Sequence, residues 1–251
     1  MDKPARTQTI EKLLNETRRI SPRRWFLMAV VALAAGIYLF TLKHEGEQVR
    51  TTTAQERATL DAEISERLPK LLGGASQNKE QLALVARVAE AITTRTDASK
   101  APTSLTFHLM AEPNSINIYG LAEGNIYITT ALLNRMQTEG QLAAALAHAA
   151  AHALVKDHLT VVAAASTIRP IWQHTAQHER AADVLTVTLM SQAGYDPNAF
   201  SSMLGVLAKA YTAKAEVTFF TTHPNTADRL DAITAAITAL YPQGVPAVLS
   251  K

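Results

Sequence analysis

Residues 25–42, WFLMAVVALAAGIYLFTL, hold 18 consecutive positions without a charge. As a helix rising 1.5 Å per residue, the run spans about 27 Å, close to the roughly 30 Å hydrocarbon core of a bilayer. A buried helix of a soluble domain would show a polar face, and this run has none. Ala32-Leu33-Ala34 has the small-residue look of a signal cleavage site. Apolar residues continue through Phe40, however, so cleavage there would leave a greasy new terminus. The run is therefore read as one uncleaved transmembrane anchor.

Charge gives the anchor a direction. Residues 1–24 carry seven bases and three acids, a net of +4, and four of the bases (Arg18, Arg19, Arg23 and Arg24) crowd its start. The positive-inside bias predicts a cytoplasmic N-terminus and a domain on the other side, in the periplasm of a bacterial inner membrane. Of the chain's 24 bases and 22 acids, 17 and 19 remain beyond the tail. The folded part is thus slightly acidic and offers no basic face for nucleic acid. Cysteine is absent, which excludes disulfides, thiolate metal sites and a cysteine nucleophile. Metal binding by histidine and carboxylate is left open.

The remaining residues pattern as an α+β domain, mainly helical. A juxtamembrane helix, with Leu60, Ile64, Leu68, Leu71 and Leu72 at helical spacing, stops at Gly73-Gly74. A second helix runs from about Lys79 to Thr94. A short β region follows, with alternation at Leu105, Phe107 and Leu109 and further strands over 116–119 and 126–129. From Gln141 onward the pattern is helical, broken at Pro170, at Gly194 to Pro197 and near His223-Pro224. The organisation reads as a basic tail (1–24), an anchor (25–42), a juxtamembrane linker (43–74) and a domain (75–251).

Within LAAALAHAAAHALVKDH, residues 142–158, His148 and His152 stand four apart. That spacing puts both rings on one helix face, about 6 Å apart at Cβ, where neutral imidazoles can share a metal ion. The pair alone is a weak signal, since His174 and His178 repeat the spacing. His174 and His178 are read as ordinary polar residues near the start of a helix.

Four stretches in order make a more specific pattern: residues 113–136 (PNSINIYGLAEGNIYITTALLNRM), 142–158, 179–197 (ERAADVLTVTLMSQAGYDP) and 222–233 (THPNTADRLDAI). Together they resemble the gluzincin zinc metallopeptidases, most closely metallopeptidase family forty-eight, which includes the HtpX-like and CAAX-prenyl endopeptidases. The resemblance implies a zincin-like domain with a small β-sheet that hydrolyses peptide bonds of membrane or envelope polypeptides. It implies Zn²⁺ held by His148, His152 and Glu179, with Asp183 holding a ligand histidine in its metal-binding tautomer. It also implies that the strand Ile126, Tyr127, Ile128, Thr129 pairs with an extended substrate backbone. Only 26 residues separate His152 from Glu179, sufficient for a helix end, a turn and a return helix. Two roles stand open for His223: a hydrogen bond to a developing oxyanion, or capping and packing beside Pro224. Arg229 is read as structural, pairing with an acid of the core.

One departure bears on activity. Such a motif reads His-Glu-x-x-His, and here Ala149 stands where the glutamate belongs. A positioned base contributes typically 10² to 10⁴ in rate, and alanine cannot accept a proton. The chain is expected to bind zinc and to cleave peptide bonds slowly or not at all. Either a parent sequence was altered to trap an inactive form, or the chain is a natural pseudopeptidase that serves as a membrane-tethered polypeptide-binding module.

Overall fold

The computed structural model describes residues 48–49, 54–94, 104–121, 124–155, 162–164, 167–168, 176–212, 223 and 227–249. The basic tail and the expected anchor lie outside these residues. Among the described residues, no helix is long and apolar enough to cross a membrane.

The chain forms two compact units. The smaller comprises residues 1–49 and 162–169. In it β1 (Gln48–Val49), β5 (Val162–Ala164) and β6 (Thr167–Ile168) form an antiparallel sheet in the order β1-β5-β6. The helical pattern expected up to Pro170 therefore ends earlier. The β-branched residues Val162, Thr167 and Ile168 favour extended backbone, and the antiparallel pairing of β5 with β6 accommodates it.

The larger unit, residues 50–161 and 170–251, is α+β and mainly helical. It contains α1 (Ala54–Leu71), α2 (Lys79–Thr93), β2 (Thr106–Met110), β3 (Ile118–Gly120), β4 (Asn125–Thr129), the single turn α3 (Thr130–Leu133), α4 (Glu139–Leu154), α5 (Ala176–Gln192), α6 (Asn198–Thr212) and α7 (Ala227–Leu240). Local signals set the helix starts. The Asn78 Oδ1 accepts from the N–H groups of Glu80 and Gln81, and the Thr138 Oγ1 from that of Gln141, so orphan donors of the first turn are capped. Behind the Asn78 cap, Val85, Val88, Ala89 and Ile92 recur at helical spacing and are all buried.

β4 is the central strand, parallel to β2 and antiparallel to β3. Ile118, Ile126 and Ile128 face the main core with Leu132 and Leu146; each such fully buried side chain stabilises by about 1.5–3 kcal/mol. The opposite face, with Met110, Tyr119 and Tyr127, packs under Ile64, Leu68 and Leu72 at the end of α1. Leu71 of the expected apolar stripe points outward instead.

The outer margin of β2 is bridged at its C-terminal end. Ser76 N–H donates to Leu109 O and Ala111 N–H to Gly74 O, each at 2.8 Å. This close pass depends on Gly73, whose φ is 75°; a Cβ there would lie 2.6 Å from Ala111 O. Among the described residues, β3 pairs with β4 on one side and has a free margin on the other.

α4 runs through the middle of the unit, with every residue from Gly140 to Ala153 buried. Its alanines let α2, α5, α6 and β3 all pack against it.

Candidate metal centre

α4 presents His148 and His152 one turn apart. Their rings are nearly perpendicular, with centroids 4.6 Å apart, and their Nε2 atoms are 3.1 Å apart. The first turn of α5 brings Glu179 opposite. Its Oε2 lies 3.5 Å from His148 Nε2, and its Oε1 lies 3.5 Å from His152 Nε2. His148 and Glu179 are wholly buried, and His152 is 6% exposed. His223 is buried as well, with its ring centroid 5.2 Å from that of His148 and 5.1 Å from that of His152. One donor atom from each of the four residues lies within 4.8 Å of the others.

The other side of His148 is also furnished. Asp183, one turn beyond Glu179, places Oδ1 3.4 Å from His148 Nδ1, and Thr186 Oγ1 lies at the same distance. The Thr186 hydroxyl donates its hydrogen to Ala182 O at 2.7 Å, so toward the ring it can only accept. Two oxygen acceptors at Nδ1 favour the tautomer that leaves the Nε2 lone pair facing Glu179 and His152.

These residues suit a zinc ion. Two imidazole nitrogens and a carboxylate are a common zinc donor set. Bonds of about 2.0–2.1 Å place tetrahedral ligands roughly 3.3 Å apart, and the observed separations of 3.1 and 3.5 Å bracket that spacing.

Comparison with known families agrees with this geometry. The model for Peptidase family M48 matches residues 78–177 and 161–237, well over half of the chain. The chain belongs to Peptidase family M48. Zinc is the metal of this metallopeptidase family. No curated protein matches the chain.

Within the M48 domain, Arg229 of α7 closes the site from a third helix. Its NH1 is 2.7 Å from Glu179 Oε2. Its NH2 and Nε donate to Asp183 Oδ1 and Oδ2 at 2.7 and 2.8 Å. Burial pushes the Asp183 carboxyl above the ordinary carboxylate range, and the Arg229 guanidinium opposes that rise. The sequence reading of Arg229 as partner of a core acid thus finds two acids rather than one.

Ala149 is 2% exposed and lies under β3. A Cβ added to Gly120 would stand 3.2 Å from Ala149 O, so the strand crosses the helix at the position where a base would be carried. This corrects the expectation for Ile126, Tyr127, Ile128 and Thr129. They form β4, whose backbone is paired on both sides, and a strand so placed has no edge to offer. In the β3–β4 ladder, Leu121 N–H donates to Asn125 O and Thr129 N–H to Asn117 O. The alternation of an antiparallel ladder turns the backbone groups of Gly120 the other way, toward the free margin.

Sequence reading singled out His148, His152, Glu179, Asp183 and His223, and all five meet here. It passed over Thr186 and Gly120. Thr186 carried a faint signal, a hydroxyl one turn after Asp183. Gly120 carried none, because only tertiary packing sets a strand against Ala149. His178 sits half-buried on α5, outside the donor group, and His174 lies outside the described residues.

Proposed function

We propose that this chain is a single-pass, membrane-anchored M48 protein that holds zinc through His148, His152 and Glu179. It engages extended polypeptides of the membrane or envelope and is silenced as a peptidase at Ala149. Residues 25–42 anchor it in the bacterial inner membrane, with the tail of residues 1–24 in the cytoplasm and the domain of residues 75–251 in the periplasm. The charge bias of the tail supports this orientation. Residues 43–74 link anchor to domain.

Each residue has a role in this reading. His148 and His152 supply nitrogen donors and Glu179 an oxygen donor. Asp183 and Thr186 accept the Nδ1 proton of His148 and so aim its other nitrogen at the metal. A zinc ion held there would supply Lewis acidity toward a carbonyl or a water molecule. β3 receives an extended backbone through the outward N–H and C=O of Gly120. His223, close to both ligand rings, is positioned to donate a hydrogen bond to an oxyanion. The step left without a group is proton abstraction, because a methyl occupies position 149.

The observation that carries this reading is the intact, buried donor set around a position that holds alanine. The second reading, a natural pseudopeptidase that grips polypeptides without cutting them, draws on the free margin of β3 beside that alanine. Restoring the base separates the two. With zinc bound, Ala149→Glu is expected to raise cleavage of an unfolded polypeptide by about 10² to 10⁴ and to lose it on chelation. Zinc-loaded Ala149→Glu protein that binds the polypeptide yet stays inert would favour the binding module.

A further inference from the structure

Arg229 is not a metal donor, and its role follows from charge. Glu179 and Asp183 lie one turn apart on α5, both fully excluded from water. Two buried carboxylates at that spacing repel each other, and neither is stable as an anion in low dielectric without a counter-charge. A site neutralised by metal alone would lose its balance whenever the metal left. Arg229, 3% exposed, reaches both acids at 2.7–2.8 Å from a different helix. The guanidinium's planar fork takes Asp183 with two nitrogens while the third faces Glu179. NH2 also lies 3.4 Å from His148 Nε2, so this fixed charge stands at the margin of the donor set.

We infer that Arg229 is a resident counter-cation that holds Glu179 and Asp183 in place whether or not metal is bound, so that the donor set is preformed and the fold does not require zinc. The inference rests on the reading of His148, His152 and Glu179 as metal donors. It makes this domain unlike small zinc domains in which metal binding and folding are one event. It also assigns Arg229 a positioning role: it acts on the metal through Glu179. A lysine, a single point charge, could satisfy one acid but not bridge two.

The test uses the full chain in mild detergent, loaded with zinc or stripped by a chelator, together with Arg229→Met and Arg229→Lys. Elemental analysis of the wild type against His148→Ala establishes the metal first. The stripped wild type is expected to keep a cooperative thermal transition. Arg229→Met is expected to lower the midpoint by about 10 °C when stripped, and by less than half of that when zinc supplies the missing charge. By linkage, the same variant should bind zinc about tenfold more tightly in a chelator competition, and Arg229→Lys should fall between it and the wild type. If Arg229→Met does not fold even with zinc, Arg229→Met with Asp183→Asn, which removes one acid along with the cation, is compared instead. Equal losses with and without zinc, or a stripped wild type with no cooperative transition, would overturn the inference and leave the metal reading standing. A wild type with no more zinc than His148→Ala would sink the metal reading itself, and this inference with it.

Discussion

α4 meets an acid and an arginine near each of its ends, and the two arrangements behave as opposites. At the start of the helix, Glu139 pairs with Arg87 of α2 and accepts a hydrogen bond from the Tyr195 hydroxyl at 2.8 Å. There the arginine side chain is 62% exposed and the glutamate 30%. Beside the histidines, Arg229, Glu179 and Asp183 are almost wholly out of water. The chemistry is the same, carboxylate against guanidinium. Water near Arg87 screens the pair and can replace either partner, whereas nothing replaces a partner beside Arg229. Burial, not the inventory of charges, decides which cluster is indispensable.

The largest effect is expected from Asp183→Ala. It leaves Arg229 with one acid and His148 Nδ1 with one acceptor fewer. Breaking a buried pair in this way costs about 3–5 kcal/mol, which calorimetry would read as a midpoint lowered by about 10 °C. A fall of only a degree or two would mean that water reaches the cluster. Tyr195→Phe is expected to cost about 1 kcal/mol, the usual worth of one hydrogen bond.

The pH dependence of Tyr195 sharpens the contrast. Burial first, and then the Glu139 carboxylate, raise the Tyr195 hydroxyl well above its ordinary value. The folded chain therefore keeps a proton that the unfolded chain releases near pH 10. The contribution is complete below about pH 10 and falls as pH rises beyond it. Denaturant titrations should show wild type and Tyr195→Phe converging between about pH 10 and 11; a constant gap would refute the assignment. Arg87→Met is expected to change least, with no resolvable shift in midpoint at physiological salt and a small one at low salt.

The same contrast explains what could be read in advance. His148 and His152 were legible because helix periodicity is local: four residues make one turn whatever surrounds them. Glu179 and Asp183 were legible through the order of the motifs, and Gly73-Gly74 through its turn chemistry. The bridge to Arg229 spans 46 positions from Asp183, and sequence gave only the expectation of some acid partner. Strand order misled. Residues 126–129 look like any half-buried strand, and nothing in their pattern says whether neighbours lie on one side or two. The short strands over 162–168 were hidden by the helical run before them, because pairing with Gln48–Val49 depends on residues more than a hundred positions away.

The bridge at the end of β2 has a consequence for assembly. Exposed strand edges template the addition of further strands, and a sheet open at both sides can grow without limit. Here the backbone that follows α1 bridges the end of β2 at Met110, beginning at a glycine pair that no bulkier residue could replace at Gly73. Among the described residues, the three-stranded sheet around β4 has an open margin at β3, whereas a strand added along β2 would meet the bridge at Met110. That difference between the two margins separates the capture of one strand from edge-to-edge growth.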